Sequence, residues 1–370
     1  MKVLHLSGAR SWGGNEQQLS DIIPELEKLG VENFVFGVEN SPLHEYYKDS
    51  SIQFICCKEE KLNKFKNYKY LKSIVKEIKP DLIHIHTSDS VTVFTISDLL
   101  YSLETPGVFS KKGMGNSMSV LSKFKYNYKN IKKIICVSKA VEKAMKELIM
   151  KPKNFNKLVV VNDGVNIQRS AINGSLTDLR KEFAIPSNTY LIGNVANHTK
   201  AKDLVTLIKA IHYLVNNLKF NNVRCLQFGG FTSLTDELKQ LIIEYNLLEH
   251  FTFVGFKEHA MDLLPQLDVF VMSSEREGGP TSVLEAFYKK IPVVSTKVGV
   301  LPEVINDGKN GFLVDLHDFK EMAEKIKTIL LNEKLQTQFT DISFKIFKEK
   351  FLSTIIANAT LDVYKESIAL

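Results

Sequence analysis

Short runs that are apolar at nearly every position, separated by stretches of helix length, constrain this chain more than any other feature. Asp81-Leu82-Ile83-His84-Ile85-His86, Leu158-Val159-Val160-Val161 and Leu267-Asp268-Val269-Phe270-Val271-Met272 are examples. A strand apolar on both faces is buried on both, which happens when helices cover each side of a parallel sheet. Strands are expected at Val3–Leu6, Asn33–Val38, Gly107–Phe109 and Lys132–Val137, with helices at Glu16–Leu29, Tyr68–Ile78 and Thr92–Tyr101 between them. A second set of strands follows at Leu191–Ala196, Val223–Gly229, Phe251–Gly255, Val269–Ser273 and Val293–Ser295. The polar stretch Gln168–Thr177 between the sets reads as a linker. A last helix is expected over Phe344–Ala369, with an apolar stripe through Phe347, Phe351, Ile355 and Ile356. The fold class is therefore α/β, and 370 residues suit two domains of ordinary size.

Composition narrows the function classes. There is no run of about eighteen apolar residues, so no membrane-spanning helix is expected. Met1-Lys2-Val3-Leu4-His5-Leu6-Ser7 begins directly as a strand and has no signal-peptide pattern. Cys56, Cys57, Cys136 and Cys225 have neither metal-ligand nor redox spacing, which suits a cytoplasmic protein. The net charge of +6 is unevenly placed. Lysines crowd 58–79, with Phe65, Tyr68 and Tyr70 among them, and seven lie in 111–133 with Phe124, Tyr126 and Tyr128 and no acid. Basic residues interleaved with aromatics suit an anionic membrane surface, so peripheral association with the inner membrane is expected. No nucleic-acid motif accompanies them.

The segment Glu277-Gly278-Gly279-Pro280-Thr281-Ser282-Val283-Leu284-Glu285 carries the most chemistry. It follows a buried strand and opens a helix, with Pro280 suited to the first helical position. Amides near Gly279–Ser282 then point outward without helical partners, a ready site for a phosphate. Glu277 stands in the loop before it and Glu285 about one turn inside. A phosphate on those amides, lying between two hydrogen-bond acceptors, suits a sugar nucleotide.

This segment resembles the signature of retaining family 4 glycosyltransferases. The resemblance continues through Glu285-Ala286-Phe287, Ile291-Pro292-Val293-Val294-Ser295-Thr296 and Val298–Ile305 to Gly308-Lys309-Asn310-Gly311-Phe312-Leu313-Val314, and runs ungapped from Phe253. It implies the GT-B fold: two Rossmann-like domains facing across a cleft, with a C-terminal helix crossing back to the first. The implied boundaries are 1–167 on the acceptor side, 168–345 for the nucleotide sugar, and 346–370 for the returning helix. By the same resemblance Glu277 binds hydroxyls of the donor sugar and steadies developing positive charge, and Glu285 binds the ribose. Gly278, Gly279, Pro280, Thr281 and Ser282 hold sugar and phosphate oxygens, and Gly255-Phe256 flanks the base.

Other positions match less closely. Gly13 and Gly14 follow the first strand, where the family's glycine pair approaches the ligand. In Asn197-His198-Thr199-Lys200-Ala201-Lys202-Asp203 the familiar lysine falls on Lys202, but Asn197 stands where an arginine is usual, leaving Lys200 or His198 as substitutes. Cations here matter because the nucleotide diphosphate leaves as an anion. His84 and His86 end a strand, so one of them, His86, is expected on the acceptor side. Lys112 stands where the family places a histidine, and Ser138 caps a helix near the same edge. No Asp-x-Asp pair is present, so neither metal nor cofactor is expected. The donor is expected to be a UDP- or GDP-sugar and the acceptor a glycan or lipid-linked molecule of bacterial polysaccharide or lipopolysaccharide assembly. A sugar-nucleotide epimerase of the same architecture, or a non-catalytic relative that binds the nucleotide sugar, are the alternatives.

Overall fold

The structure, a computed structural model, describes residues 1–113, 120–170 and 177–370. Residues 114–119 of the lysine-rich stretch and 171–176 of the expected linker lie outside the described residues. The chain divides into two compact units: Met1–Asn166 with Ser353–Leu370, and Ile167–Leu352.

The first unit is a seven-stranded sheet whose pairings are parallel, ordered β3-β2-β1-β4-β5-β6-β7. Its strands are β1 (Lys2–Ser7), β2 (Glu32–Gly37), β3 (Gln53–Cys56), β4 (Leu82–Ile85), β5 (Gly107–Lys111), β6 (Ile131–Cys136) and β7 (Leu158–Val160). Helices α1 (Gly14–Lys28), α2 (Pro42–Tyr47), α3 (Phe65–Ile78), α4 (Ser88–Tyr101), α5 (Val120–Tyr126) and α6 (Lys139–Leu148) connect them. Leu4, Leu6, Phe36, Ile83, Ile85, Phe94 and Ile134 fill the core on one side of the sheet. Val3, Leu26, Leu82, Val108 and Ile135 fill the other, together with Ile356, Ala357 and Tyr364 from the C-terminal helix. Neighbouring strand residues thus divide between the faces, as a sheet buried on both sides requires.

The second unit repeats the plan in six parallel strands ordered β10-β9-β8-β11-β12-β13. They are β8 (Tyr190–Val195), β9 (Val223–Phe228), β10 (Phe251–Gly255), β11 (Val269–Met272), β12 (Val293–Thr296) and β13 (Phe312–Val314). Its helices are α7 (Leu179–Glu182), α8 (Leu204–His212), α9 (Thr235–Glu244), α10 (Ala260–Leu263), α11 (Thr281–Tyr288), α12 (Leu301–Val304), α13 (Phe319–Leu330) and α14 (Glu333–Lys350). In each sheet the strand order reverses beside the first strand, between β1 and β4 and between β8 and β11. Open parallel sheets bind ligands outside the carboxyl ends of strands at such a point.

The single helix expected over Phe344–Ala369 is two. It breaks after Lys350, and α15 (Ser353–Ala369) starts afresh, packed on α1. Phe347 and Phe351 are fully buried and Ile355 is exposed, so the stripe seen in sequence does not lie on one continuous helix. Pro280 is the N-cap of α11 rather than its first residue, with φ −71° and ψ 99°. The interleaved aromatics also sort differently than expected. Tyr126 and Tyr128 are buried and Tyr68 and Tyr70 pack against the core, leaving Phe65 and Phe124 exposed. Among the described residues no helix is long and apolar enough to cross a membrane.

Candidate functional site

In the second unit, the loop after β11 and the loop after β8 meet. The Lys202 ammonium lies 2.6 Å from Glu277 Oε1, and Ser274 Oγ donates to the same oxygen at 2.7 Å. Ser273 Oγ donates to the Lys202 carbonyl at 3.1 Å, and the Glu275 amide donates to the Ala201 carbonyl at 2.9 Å. Two chain segments distant in sequence are thus laced together by main chain, which fixes the charged pair above them. Thr296 Oγ1 holds the Ser274 carbonyl from β12 at 2.6 Å. Gly299 adopts φ +55°, and a Cβ there would stand 2.5 Å from the Gly278 carbonyl oxygen. That carbonyl instead accepts the Val300 amide at 3.0 Å. The Gly278-Gly279 turn is therefore held from behind, and its other side leads to the first turn of α11. Helix geometry leaves the Thr281 and Ser282 amides without partners inside the helix. Glu285, one turn in and buried, is ion-paired with Arg169.

The loop after β8 corrects one expectation. His198 is fully buried, with Nδ1 bonded to Thr235 Oγ1 and Nε2 to Gln227 Oε1, each at 2.8 Å. Burial lowers its pKa, so it is neutral and does not stand in for the missing arginine. Asn197 accepts the Gly230 amide at 2.8 Å through Oδ1, a task of loop geometry that an arginine side chain has no acceptor to perform. Lys200 and Lys202 remain as the cations of this loop. At the end of β10, Gly255 takes φ +85°, which favours glycine, and Phe256 is exposed.

In the first unit, Gly13 is the N-cap of α1 with an extended backbone, and a Cβ on Gly14 would meet nothing within 4 Å. Neither φ nor packing requires glycine at these two positions, and the Glu16 carboxylate lies against Gly13. Two residues on, Glu16 is buried, and desolvation pushes its carboxyl up to about 7. Lys112 is ion-paired with buried Asp163, whose pKa burial raises although Lys112 draws it down.

His84 and His86, two residues apart, point the same way and do not divide between ligand and core. Both join a buried cluster with His5. Asn33 Nδ2 donates to the Val31 carbonyl, so its Oδ1 accepts from His5 Nε2 at 3.0 Å. His5 Nδ1 then carries the lone pair and accepts from His86 Nε2, also at 3.0 Å. His84 is held by Tyr364 Oη at 2.6 Å and Ser110 Oγ at 2.8 Å. Desolvation lowers all three imidazoles, His5 to about 4, so the cluster is neutral. A small cavity beside it is lined by His84, His86, Lys112, Gln18 and Asn162. Ser138 is fully buried and its hydroxyl accepts the Val141 amide at 3.3 Å, so it caps α6 and does not line that cavity.

Among the described residues two side-chain groups have metal-ligand proximity, His5 with His84 and His86, and Asp203 with Glu275 and His317. The hydrogen bonds above account for the first, and in the second Asp203 is the N-cap of α8. Sequence reasoning missed Arg169, Glu16, Asp163 and His5. Arg169 alone had a signal: it is one of five arginines in a lysine-rich chain and sits in a stretch read as linker.

Two family models match the chain: residues 176–345 match glycosyl transferases group 1, and residues 12–169 match glycosyltransferase family 4. An uncharacterized glycosyltransferase of Methanocaldococcus jannaschii is 26% identical over 91% of this chain and 93% of its own. The N-acetyl-alpha-D-glucosaminyl L-malate synthase of Bacillus anthracis is 25% identical over 51% of this chain, and the match spans about half, 49%, of the synthase. A UDP-Gal:alpha-D-GlcNAc-diphosphoundecaprenol alpha-1,3-galactosyltransferase of Escherichia coli is 24% identical over 80% of both chains. Among solved structures, a glycosyltransferase from Rickettsia africae superposes with a TM-score of 0.85 at 22% identity, covering 99% of this chain and 98% of that one. Anabaena HepE in complex with UDP-glucose gives 0.83 at 19%, covering 99% of this chain and 100% of that one. These two likenesses show that the fold is GT-B.

Proposed function

The chain belongs to the group 1, family 4 glycosyltransferases, and from that premise we propose that it moves a sugar from a nucleotide-diphosphate sugar to a glycan or lipid-linked acceptor. The setting we propose is bacterial polysaccharide or lipopolysaccharide assembly, and the outcome is retention of anomeric configuration. The observation that carries this reading is the Lys202–Glu277 pair at the mouth of α11, with Glu285 one turn inside the same helix. An ammonium beside outward-pointing amides is what a departing diphosphate needs. A carboxylate beside that ammonium is what a positively charged sugar ring needs.

In this mechanism the donor diphosphate lies on the Thr281 and Ser282 amides and displaces Lys202 from Glu277 onto its own oxygens. Glu277, released from its ion pair, faces the sugar as the bond from its anomeric carbon to the phosphate oxygen breaks. The acceptor hydroxyl attacks from the face the phosphate leaves. Its proton goes to the departing phosphate oxygen, so no base on the protein is needed. Glu285 binds ribose hydroxyls through the carboxylate that Arg169 orients. Charge on the leaving group is carried by Lys202, Lys200 and the helix terminus, without a metal. Structural neighbours solved with UDP and glucose and with UDP-glucose support testing UDP-sugars first.

The test is a thermal-shift panel of UDP-, GDP-, ADP- and CMP-sugars on wild type and Glu285→Ala, followed by transfer from a radiolabelled donor. Stabilisation by one nucleotide class that the variant loses is the expected result. A protein that no nucleotide sugar stabilises, and that consumes none with a lipid-extract acceptor, sinks the proposal. Consumption without any acceptor, yielding the epimer, moves it to the epimerase reading.

A further inference from the structure

Independently of the glycosyltransferase reading, we infer that the second unit holds another ligand site, a cleft that takes a free α-amino acid with an apolar side chain. The cleft, of about 340 Å³, lies where β8, β9 and β10 begin. The donor-side loops leave the carboxyl ends of these strands, about 20 Å away along a six-residue strand such as β8. Its volume falls among those of small-molecule sites, about 300–1,000 Å³. The walls are held by bonds that involve no ligand. Arg180 Nη1 donates to the Pro186 and Thr189 carbonyls at 2.8 and 2.9 Å, and Asn222 Nδ2 donates to the Asn188 carbonyl at 2.6 Å. These bonds fix the turn before β8. On the opposite wall the Cys225 amide donates to the His250 carbonyl, and the His250 amide to the Leu247 carbonyl, each at 2.8 Å.

A cation and an anion line this cleft without meeting. Arg224 is half-buried, and its Nη1 donates to the Leu248 carbonyl at 3.0 Å. Its Nε is screened from solvent and has no partner. A buried donor without an acceptor carries a cost that a ligand oxygen removes. The edge made by Nε and Nη2 is the one that receives a carboxylate with two parallel bonds. Burial lowers the Arg224 pKa and the nearby Glu249 carboxylate draws it back up, yet among the described residues no ion pair joins the two. Glu249 is exposed and lines the cleft. His250 Nδ1 donates to the Val223 carbonyl at 3.0 Å, so in the neutral ring Nε2 keeps its lone pair. The cleft therefore offers donors for a carboxylate on Arg224 and acceptors for an ammonium on Glu249 and His250.

Charge balance and the remaining wall select the ligand. One guanidinium and one carboxylate sum to zero, which suits a zwitterion. A phosphate would bring up to two negative charges beside Glu249. Phe183, Ile185, Pro186 and Val223 supply an apolar wall, of which Ile185 and Val223 are buried. An apolar side chain gains by covering that wall, and glycine has none to place there.

Calorimetric titration of the whole chain with L-leucine, L-phenylalanine, glycine, 4-methylpentanoate (leucine without its ammonium) and inorganic phosphate tests this. Leucine or phenylalanine is expected to bind, with glycine and 4-methylpentanoate severalfold weaker and phosphate unable to compete. Arg224→Met should lower the amino-acid affinity at least about tenfold, since two charge-assisted bonds to the carboxylate are lost. If that variant does not fold, exposed Glu249→Gln reads the ammonium contact. It should bring leucine down towards 4-methylpentanoate and leave 4-methylpentanoate unchanged, a selectivity that general loosening of the cleft does not produce. Binding of neither amino acid overturns the site, and so does equal leucine affinity in wild type and folded Glu249→Gln. Phosphate that displaces leucine overturns the amino-acid assignment in favour of a simple anion site. The donor site is read separately by the UDP-sugar thermal shift, which Glu249→Gln should leave in place; its loss in that variant would overturn the separation of the two sites.

Discussion

The two units share one sheet plan and differ in how they keep their polar groups. In the second, the central pair is partly open to solvent: the Lys202 and Glu277 side chains are 30% and 12% exposed, and two loops and one helix turn carry almost everything. In the first, polar side chains from β1, α1, β2, β4, β5 and α15 converge in the interior, where they are neutral or paired out of solvent. Charges near water can be removed without leaving a buried partner stranded, whereas buried polar groups cannot. Substitutions in the Lys202–Glu277 pair should therefore change turnover and leave stability alone. Those in the first unit's cluster should change stability and its pH dependence.

The largest expected effect tests the first half of that contrast. Glu277→Gln keeps the hydrogen bond to Ser274 but removes the charge proposed to face the reacting sugar, so kcat should fall by about 10²–10³-fold. The melting temperature should stay within a few degrees, because the lost ion pair is partly solvated. A large loss of melting temperature with proportionate activity would make Glu277 a structural residue and erase the difference between the units.

Next in size is Glu16. Its folded-state carboxyl is raised from 4.5 to about 7, chiefly by desolvation. The protonated form is therefore favoured by folding. The associated stability is fully present below pH 4.5 and is lost as pH rises through 7, amounting to about 3 kcal/mol. Urea midpoints at pH 5 and pH 8 should differ more for wild type than for Glu16→Gln, which cannot ionise. Identical pH dependence in the two proteins would mean that Glu16 is solvated in the folded state, and that the first unit's interior is not as closed as its histidine cluster indicates.

Legibility in the sequence follows the same division. The parallel sheets were readable because burial on both faces leaves uninterrupted apolar runs such as Val269-Phe270-Val271-Met272. The Glu277–Glu285 segment was readable because its members are neighbours in sequence. His5 was not, since a histidine inside Leu4-His5-Leu6 has no local partner, and its partners Asn33 and His86 lie 28 and 81 residues away. Glu16 reads in sequence as an ordinary acid in a first helical turn, solvated and complementing the dipole. Only the packing around it shows otherwise. The broken C-terminal helix failed for a related reason: Phe347, Phe351 and Ile355 keep helical spacing across a junction where the chain passes from one unit to the other. Local periodicity holds no information about which core each residue enters.

Gly299→Ala probes how firmly the second unit's loop is held from behind. Alanine is strained at φ +55°, and its Cβ would push on the Gly278 carbonyl that Val300 now binds. A loss of about 2 kcal/mol is expected together with weaker nucleotide-sugar binding, since Gly278 opens the turn that leads to α11. Stability lost with donor affinity retained would separate the turn from the ligand site.

The smallest effect concerns Ser138, where two roles predict opposite patterns. A serine that touches the acceptor should raise the acceptor KM when replaced by alanine, with little change in stability. A serine that only caps α6 should cost about 1 kcal/mol and leave KM alone. Full burial and the bond to the Val141 amide favour the cap, because an oxygen already accepting from the helix and closed to solvent offers a sugar nothing. Ser138→Ala and Ser138→Asp separate the two: aspartate is an equally good cap in an open site but puts a charge in a sealed one. Both variants should be destabilised, aspartate the more, with acceptor KM unchanged. A raised KM in a stable Ser138→Ala protein would return Ser138 to the acceptor side and show that the first unit, too, keeps working groups at its surface.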